Sequence, residues 1–207
     1  MDNFWNKRYI TEQLIWGVEP SSITVICEKI FKENNTKDIL VIGAGYGRNG
    51  KYFVENGYHV DGIEISEEAI NIGKIFAPEI NFIKGSVLDM NLNKKYDAVF
   101  CYDIIQLFQE EKRKTVIENC IKHCKNTGRI MISCLSDKDM LYGIGKMIEG
   151  NTFEIRNGLT IHFSNEEEIN NIGEKLEIMK LGYSKEKMEN DRTGKERDRI
   201  YGIYKIT

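Results

Sequence analysis

Three glycines at alternate positions, Gly43, Gly45 and Gly47, follow directly on the apolar run Ile39-Leu40-Val41-Ile42, and an acid, Glu64, stands roughly twenty residues beyond the first of them. These residue types can hold a nucleotide against bare backbone. Glycine enters φ > 0 freely and puts no side chain between main chain and ligand, and a carboxylate accepts two hydrogen bonds at once. No comparable grouping suggests a metal: the five cysteines, Cys27, Cys101, Cys120, Cys124 and Cys134, match no zinc-knuckle or CxxC spacing. Cys120, His123 and Cys124 share one expected helix without a second ligand cluster, so they read as packing residues and no metal site is expected.

The elements that must position the turn are legible around it. A continuous β-favouring run over 39–42 marks a strand buried on both faces of a parallel sheet. Arg48 to Glu55 regains helical character, Asn56-Gly57 ends it, and Tyr58 to Ile63 forms a second strand that delivers Glu64. Ser66, followed by Glu67 and Glu68, caps a helix to about Phe76, stopped before Pro78. Strands are expected over 79–84, 96–102 and 129–135, with a loop over 85–92 and a helix over 109–125 closed by Asn126-Thr127-Gly128.

The flanks carry weaker signals. Phe4, Trp5, Tyr9 and Trp16 crowd the N-terminus, a density that serves equally for packing or for a lid over a ligand. Ser21-Ser22 cap a helix from about Ile23 to Glu33. After the fifth strand, 137–148 is expected as a helix, 152–163 as a hairpin turning at Asn157-Gly158, and Ser164 as the cap of an acidic helix over 166–172. Strands over 175–189 and 197–206 close the chain, with the mixed charges of Asp191 to Arg199 as a solvated loop between them.

At 207 residues, 41% hydrophobic and 29% charged, the chain fits one domain with a sizeable core. No apolar run approaches the ~20 residues a membrane span needs, and the N-terminus lacks a secretory pattern, so a cytoplasmic protein without membrane contact is expected. A net charge of −3 gives no basic face for nucleic acid.

A glycine-rich βαβ unit alone does not name its ligand. In a dinucleotide site the third glycine of G-x-G-x-x-G falls where this chain has Arg48; here it comes one place early, at Gly47. Val41-Ile42-Gly43-Ala44-Gly45-Tyr46-Gly47 resembles the first motif of the class I S-adenosylmethionine-dependent methyltransferases. The resemblance implies that Glu64 accepts the ribose hydroxyls and that Ile65 packs on the adenine. Phe82 to Asp89 is similar to the family's adenine-edge segment, except that its usual acid after Gly85 is Ser86, with Asp89 three places on; Ser86 and the Val87 N–H remain able to bond there, and which of Ser86 and Asp89 reads the amino group stays open. Tyr96 to Phe100 matches the fourth strand, and the closing hairpin fits the sixth and seventh. The Trp5, Arg8-Tyr9 and Trp16-Gly17 spacing looks more loosely like the tellurite-resistance and thiopurine branch, which acts on small molecules. The implied fold class is α/β: a Rossmann-like, seven-stranded, mostly parallel sheet with helices on both faces, an antiparallel C-terminal hairpin and a small β-hairpin insertion near 152–163.

The acceptor should lie beyond the carboxyl ends of the strands, near Tyr102, Asp103 and Gln106 and near Leu135 to Lys138. Asp103 reads as a base or as the cap of the following helix, with the cap favoured. His162 reads as a surface or packing residue, and His59 and His123 as structural, so no residue is assigned a catalytic role. Tyr102-Asp103-Ile104-Ile105 lacks the [Asn/Asp]-Pro-Pro-aromatic segment of enzymes that methylate a flipped base's amino group, and no Pro-Cys pair exists for carbon-5 chemistry.

The expectation is one domain, with residues 1–34 as a helical or lid segment, 35–135 as the cofactor core and 136–207 as the acceptor-side insertion and final strands. Gly43, Ala44, Gly45, Gly47, Glu64, Ile65, Ser86, Val87, Tyr102 and Trp16 would hold S-adenosyl-L-methionine and its product S-adenosyl-L-homocysteine. A monomer or homodimer would methylate a small-molecule acceptor. The rival readings are a nucleic-acid or protein methyltransferase, a non-catalytic adenosylmethionine-binding protein and an NAD-linked oxidoreductase.

Overall fold

The computed structural model describes residues 2–156, 158–187 and 196–207. Along the chain lie α1 (Asp2–Glu12), α2 (Ser22–Glu33), β1 (Asp38–Ile42), α3 (Arg48–Glu55), β2 (His59–Glu64), α4 (Glu67–Phe76) and β3 (Asn81–Lys84). β4 (Tyr96–Tyr102), a short 3-10 turn (Ile105–Leu107), α5 (Glu110–His123) and β5 (Cys124–Leu135) follow. The last third holds β6 (Lys146–Glu149), β7 (Thr152–Arg156), β8 (Leu159–His162), α6 (Glu166–Asn170), β9 (Leu176–Lys187) and β10 (Glu196–Ile206). Seven strands form one sheet in the order β3-β2-β1-β4-β5-β10-β9. The first five run parallel, and β10 is antiparallel to both its neighbours. The expected α/β class and closing hairpin are therefore present.

Why β1 sits centrally follows from its side chains. Leu40 and Ile42 belong to one buried cluster with Val99, Ile130 and the α5 residues Val116 and Ile117. Ile39 and Val41 belong to another, on the opposite face, with Ile23, Phe31, Phe53 and Phe100. Each fully buried side chain of this kind contributes about 1.5–3 kcal/mol, so a strand apolar on both sides is stable only between two helical layers. The carboxyl ends of β1, β2 and β4 consequently meet at the same rim.

Capping follows the expected chemistry in two places and departs in a third. Ser21 Oγ accepts the Thr24 N–H at the start of α2, and Ser66 Oγ accepts the Ala69 N–H at the start of α4. At α6 the cap is Asn165, whose Oδ1 accepts the Glu168 N–H at 2.9 Å. Ser164 instead forms an isolated bridge with Ser136, and the helix stops at Asn170.

The expected helix over 137–148 does not form. Gly143 and Gly145 take φ of +78° and +99°, and a Cβ on Gly145 would sit 2.2 Å from the Glu154 carbonyl oxygen. The backbone there closes against β7 more tightly than any other residue permits. β6 then pairs with β7, making a three-stranded sheet β6-β7-β8 from the expected two-stranded insertion. Asn157 of the hairpin turn lies outside the described residues.

Two boundaries also shift. β5 starts at Cys124 and takes in Asn126-Thr127-Gly128, with a register irregularity opposite Tyr96 and Ala98. Residues 188–195 of the charged loop lie outside the described residues, but Glu196 to Arg199 belong to β10, and Arg199 is buried, not solvated.

Candidate cofactor and acceptor site

A cavity of about 490 Å³ opens at the carboxyl ends of the parallel strands. Gly43, Ala44, Gly45, Glu64, Ile65, Ser86, Val87, Tyr102 and Trp16 all line it. Gly47 does not. It precedes α3 at φ +88°, where a Cβ would stand 2.7 Å from Ile80 Cδ1 and 3.2 Å from Ala77, so it serves close packing of the turn against the neighbouring layer.

The turn and the acid are joined directly. Glu64 Oε2 accepts the Gly45 N–H and Oε1 accepts the Ser66 N–H, both at 2.8 Å. Burial makes unpaired carboxylate oxygens expensive, and two backbone donors fix this one where β2 ends. Gly45 lies at φ +58°, with Tyr9 Oη 2.9 Å from where a Cβ would be. A bare backbone, an oriented carboxylate and the apolar side chains of Ile65, Val87 and Leu88 suit the polar sugar and flat base of an adenosine. The residues present thus fit S-adenosylmethionine, which supplies an electrophilic methyl group when bound.

The loop after β3 settles around its own serine. Ser86 Oγ accepts the Leu88 N–H at 3.1 Å, while Asp89 is exposed and lies outside the cavity wall. Of the two residues left open from sequence, only Ser86 lines the cavity.

The N-terminal aromatics both pack and enclose. Tyr46, inside the glycine turn, donates to the Gly17 carbonyl at 2.5 Å and accepts the Trp16 N–H at 3.0 Å. Arg48 Nη1 donates to the Trp16 and Glu19 carbonyls, each at 3.2 Å. Ser66 Oγ donates to Asn6 Oδ1 at 2.7 Å, docking α1 on the cap of α4. Through these bonds Trp5, Arg8, Tyr9 and Trp16 become one wall of the cavity, with the Arg8 guanidinium 4.7 Å from the Trp16 ring centroid. Burial, with the nearby Glu64 carboxylate, pushes the Tyr9 hydroxyl far above its ordinary value, so it stays neutral.

Beyond the glycine turn the wall changes to charged and apolar halves. Tyr102 donates to Glu186 Oε2 at 2.8 Å, and Arg199 Nε donates to Asp103 Oδ2 at 2.7 Å. Ser133 Oγ donates to Asp103 Oδ1 at 3.3 Å, and Ser22 donates to Glu186 Oε1 through both N–H and hydroxyl. Burial raises the Asp103 carboxyl above its usual value against the pull of Arg199. At Glu186 burial acts in the same direction but loses to Arg199, Tyr102 and Ser22, which together hold it low. Leu141 and the insertion residues Ile155, Leu159 and Ile161 also line the cavity.

Asp103 is accordingly no cap: Ile104 precedes the 3-10 turn, with no side-chain capping bond. Gln106 and Leu135 line the cavity, whereas Ser136, Asp137 and Lys138 do not. His162 is a buried packing residue bonded to Thr152 and Glu168, and His123 accepts the Leu92 N–H at Nε2, so its Nδ1 donates to the Asn119 carbonyl. All five cysteines are buried, and among the described residues no group of three His, Cys, Asp or Glu side chains is placed to hold a metal. Sequence reasoning missed Arg48, Glu186, Arg197 and Arg199 as cavity residues. The available signal was an arginine pair in a strand that had to be interior to the sheet.

Residues 39–128 match the family model described as a methyltransferase domain. Curated relatives include the ubiquinone biosynthesis O-methyltransferase of Rickettsia akari (strain Hartford), 26% identical over 154 residues that cover 70% of this chain and 60% of that protein. The same-named protein of Rickettsia canadensis (strain McKiel) is 26% identical over 70% of this chain and 64% of its own length. The chain thus spans less than two thirds of the length of these relatives. Among solved structures, an S-adenosylmethionine-dependent methyltransferase from Clostridium acetobutylicum ATCC 824 superposes with a TM-score of 0.71 at 17% identity, covering 99% of both chains. The 1,6-didemethyltoxoflavin-N1-methyltransferase of Burkholderia thailandensis, solved with its acceptor and S-adenosylhomocysteine, gives 0.69 at 14% identity over 99% of this chain and 87% of that one. At such identities the solved structures speak for the fold. Residues 39–128 thus match a methyltransferase domain, and the glycine turn, the acid ending β2 and the sheet order agree with the resemblance to the class I S-adenosylmethionine-dependent methyltransferases.

Proposed function

We propose that this protein transfers a methyl group from S-adenosylmethionine to a small-molecule acceptor, in the cytoplasm and as a monomer or homodimer. The carrying observation is that the Gly43 to Gly45 backbone, the Glu64 carboxylate and Tyr102 border one cavity that Ile155, Leu159 and Ile161 of the insertion also line. In this reading residues 35–135 hold the cofactor, residues 1–34 wall it in, and residues 136–207 contribute the acceptor side. Gly43, Ala44, Gly45, Glu64, Ile65, Ser86, Val87, Tyr102 and Trp16 are its contact residues, with Gly47 supporting the turn.

Methyl transfer is an in-line displacement, so the protein's work is to align acceptor and donor and keep water out. A cavity of about 490 Å³ with apolar insertion side chains in its lining suits a small molecule better than a duplex or a folded protein. The O-methyltransferase name of the relatives and the small heterocyclic acceptor of the Burkholderia thailandensis neighbour support the same reading. No helix among the described residues is long and apolar enough to cross a membrane.

The test is transfer of labelled methyl from S-adenosylmethionine into size-fractionated cell extract, followed by mass identification. Label confined to low-mass fractions is expected. Label confined to protein or nucleic acid would replace the small-molecule reading, and none in any fraction would favour a binding protein without catalysis.

A further inference from the structure

Asp103 follows directly on β4 in a conformation that few side chains adopt. Its φ is +56°, in the left-handed region, on a residue that is not glycine. What holds it there is specific: its N–H donates to both the carbonyl and the hydroxyl of Ser133, each at 3.2 Å. The carboxylate is then fixed on both oxygens, by Ser133 Oγ and by Arg199 Nε. Each oxygen keeps a further lone pair. Arg199 is buried beside the half-buried Asp103, with Nη1 3.8 Å from Glu186 Oε2 and its guanidinium 5.4 Å from the Tyr102 ring centroid. Buried ion pairs gain little stability over apolar packing of the same volume. A pair held by strained backbone in the wall of the cavity therefore calls for another explanation.

We propose that Asp103, oriented by Arg199 and Ser133, takes the proton of the acceptor's nucleophilic group, so that the acceptor is a neutral O–H or N–H compound and not a preformed thiolate or metalloid anion. This rests on the methyltransferase reading above. The side chains around the site divide the labour: Asp103 supplies the polar contact, while Leu141, Ile155 and Ile161 present apolar surface to the rest of the acceptor. The proton passes from the acceptor's oxygen or nitrogen to an Asp103 oxygen, and the acceptor's lone pair forms the new bond to the methyl carbon. The pair of the broken carbon–sulfur bond goes to the donor's sulfur, which becomes a neutral thioether. The positive charge lost at sulfur matches the negative charge lost at Asp103, and solvent takes the proton once the product leaves.

The groups facing Asp103 that set its proton affinity are Arg199 of β10, Glu186 of β9, Arg48 of α3, its neighbour Tyr102, and the buried thiols of Cys101 and Cys134. Burial outweighs the cations and raises the carboxyl's proton affinity, which makes it a stronger base than an ordinary carboxylate.

The test uses the whole chain saturated with S-adenosylhomocysteine and 2-naphthol as probe, an apolar bicycle with one hydroxyl that becomes a strong acid on excitation. Beside a proton-accepting carboxylate its emission moves to the naphtholate band. We expect bound 2-naphthol to emit as naphtholate with the wild-type protein and Asp103→Asn to cut that emission roughly tenfold while 2-naphthol still binds. In the wild-type protein, where no substitution can disturb folding, the band should fade on acidification at a pH above the ordinary carboxylate range. Equal naphtholate emission from Asp103→Asn, no such emission from the wild type, or no binding of 2-naphthol would each overturn the assignment. Calorimetry with S-adenosylhomocysteine separates the two levels: absence of binding there contradicts the methyltransferase reading itself, whereas binding without naphtholate emission contradicts only the role of Asp103.

Discussion

Glu64 Oε2 accepts the Gly45 backbone N–H at 2.8 Å, so the acid that ends β2 and the turn that ends β1 form one rigid unit. Its other oxygen holds Ser66, the cap of α4. Replacing the acid by Glu64→Ala should weaken S-adenosylhomocysteine binding by about 1.5–3 kcal/mol through lost charge-assisted bonds. Glu64→Gln, which keeps the shape, separates that loss from disturbance of the turn, and calorimetry reads both. Unchanged affinity in both variants would remove Glu64 from the ribose-binding role.

The glycines divide by what surrounds them. Gly45→Ala should reduce cofactor affinity, because its Cβ would press on Tyr9 in the cavity wall. Gly47→Ala, at φ +88° and outside the cavity lining, should cost about 1–3 kcal/mol of stability with a smaller effect on cofactor affinity. Paired thermal melts and calorimetry distinguish the two patterns.

Arg48 stands where a dinucleotide site would have glycine, and it clamps the Trp16 and Glu19 carbonyls instead. Arg48→Ala should loosen that strap and weaken S-adenosylhomocysteine binding by about 1–3 kcal/mol, two hydrogen bonds' worth. Brief trypsin treatment should then cut sooner at Lys7 or Arg8. Deleting residues 1–16 should lower affinity or turnover in a domain that still folds; loss of folding would make those aromatics part of the core.

Acid should act on the two carboxyls of the charged wall in opposite directions. Glu186 has a lowered folded value, so its contribution is present above the unfolded-chain value and lost as pH falls through the folded one. Asp103 has a raised value, so its contribution is present below the unfolded-chain value and lost as pH rises to the folded one. Glu186→Gln should therefore flatten the loss of thermal stability on acidification, whereas Asp103→Asn should flatten the change on the higher-pH side of the carboxylate range. Melting curves across acid to neutral pH provide the check.

Local patterns carried the first half of the chain. The apolar run of β1, the alternate glycines, Glu64 and the Ser66 cap each act on near neighbours, so type and spacing suffice to place them. The expected helix over 137–148 fails because Gly145 is needed by contact with Glu154 of β7, which no window around 137–148 contains. Arg199 falls at the end of a stretch expected as a solvated charged loop, because its ion pair with Asp103, about a hundred residues away in sequence, is what buries it. Asp103 was assigned to a cap for the same reason: its partners Ser133 and Arg199 lie on β5 and β10.

The central claim is that the turn at Gly43 to Gly47 and Glu64 form an adenosylmethionine site and not a dinucleotide site. Calorimetric titration of the wild-type chain with S-adenosylhomocysteine and with NADH under the same conditions tests it directly. S-adenosylhomocysteine should bind more tightly; NADH binding about tenfold tighter than S-adenosylhomocysteine, a difference of about 1.4 kcal/mol, would make the turn a dinucleotide site instead.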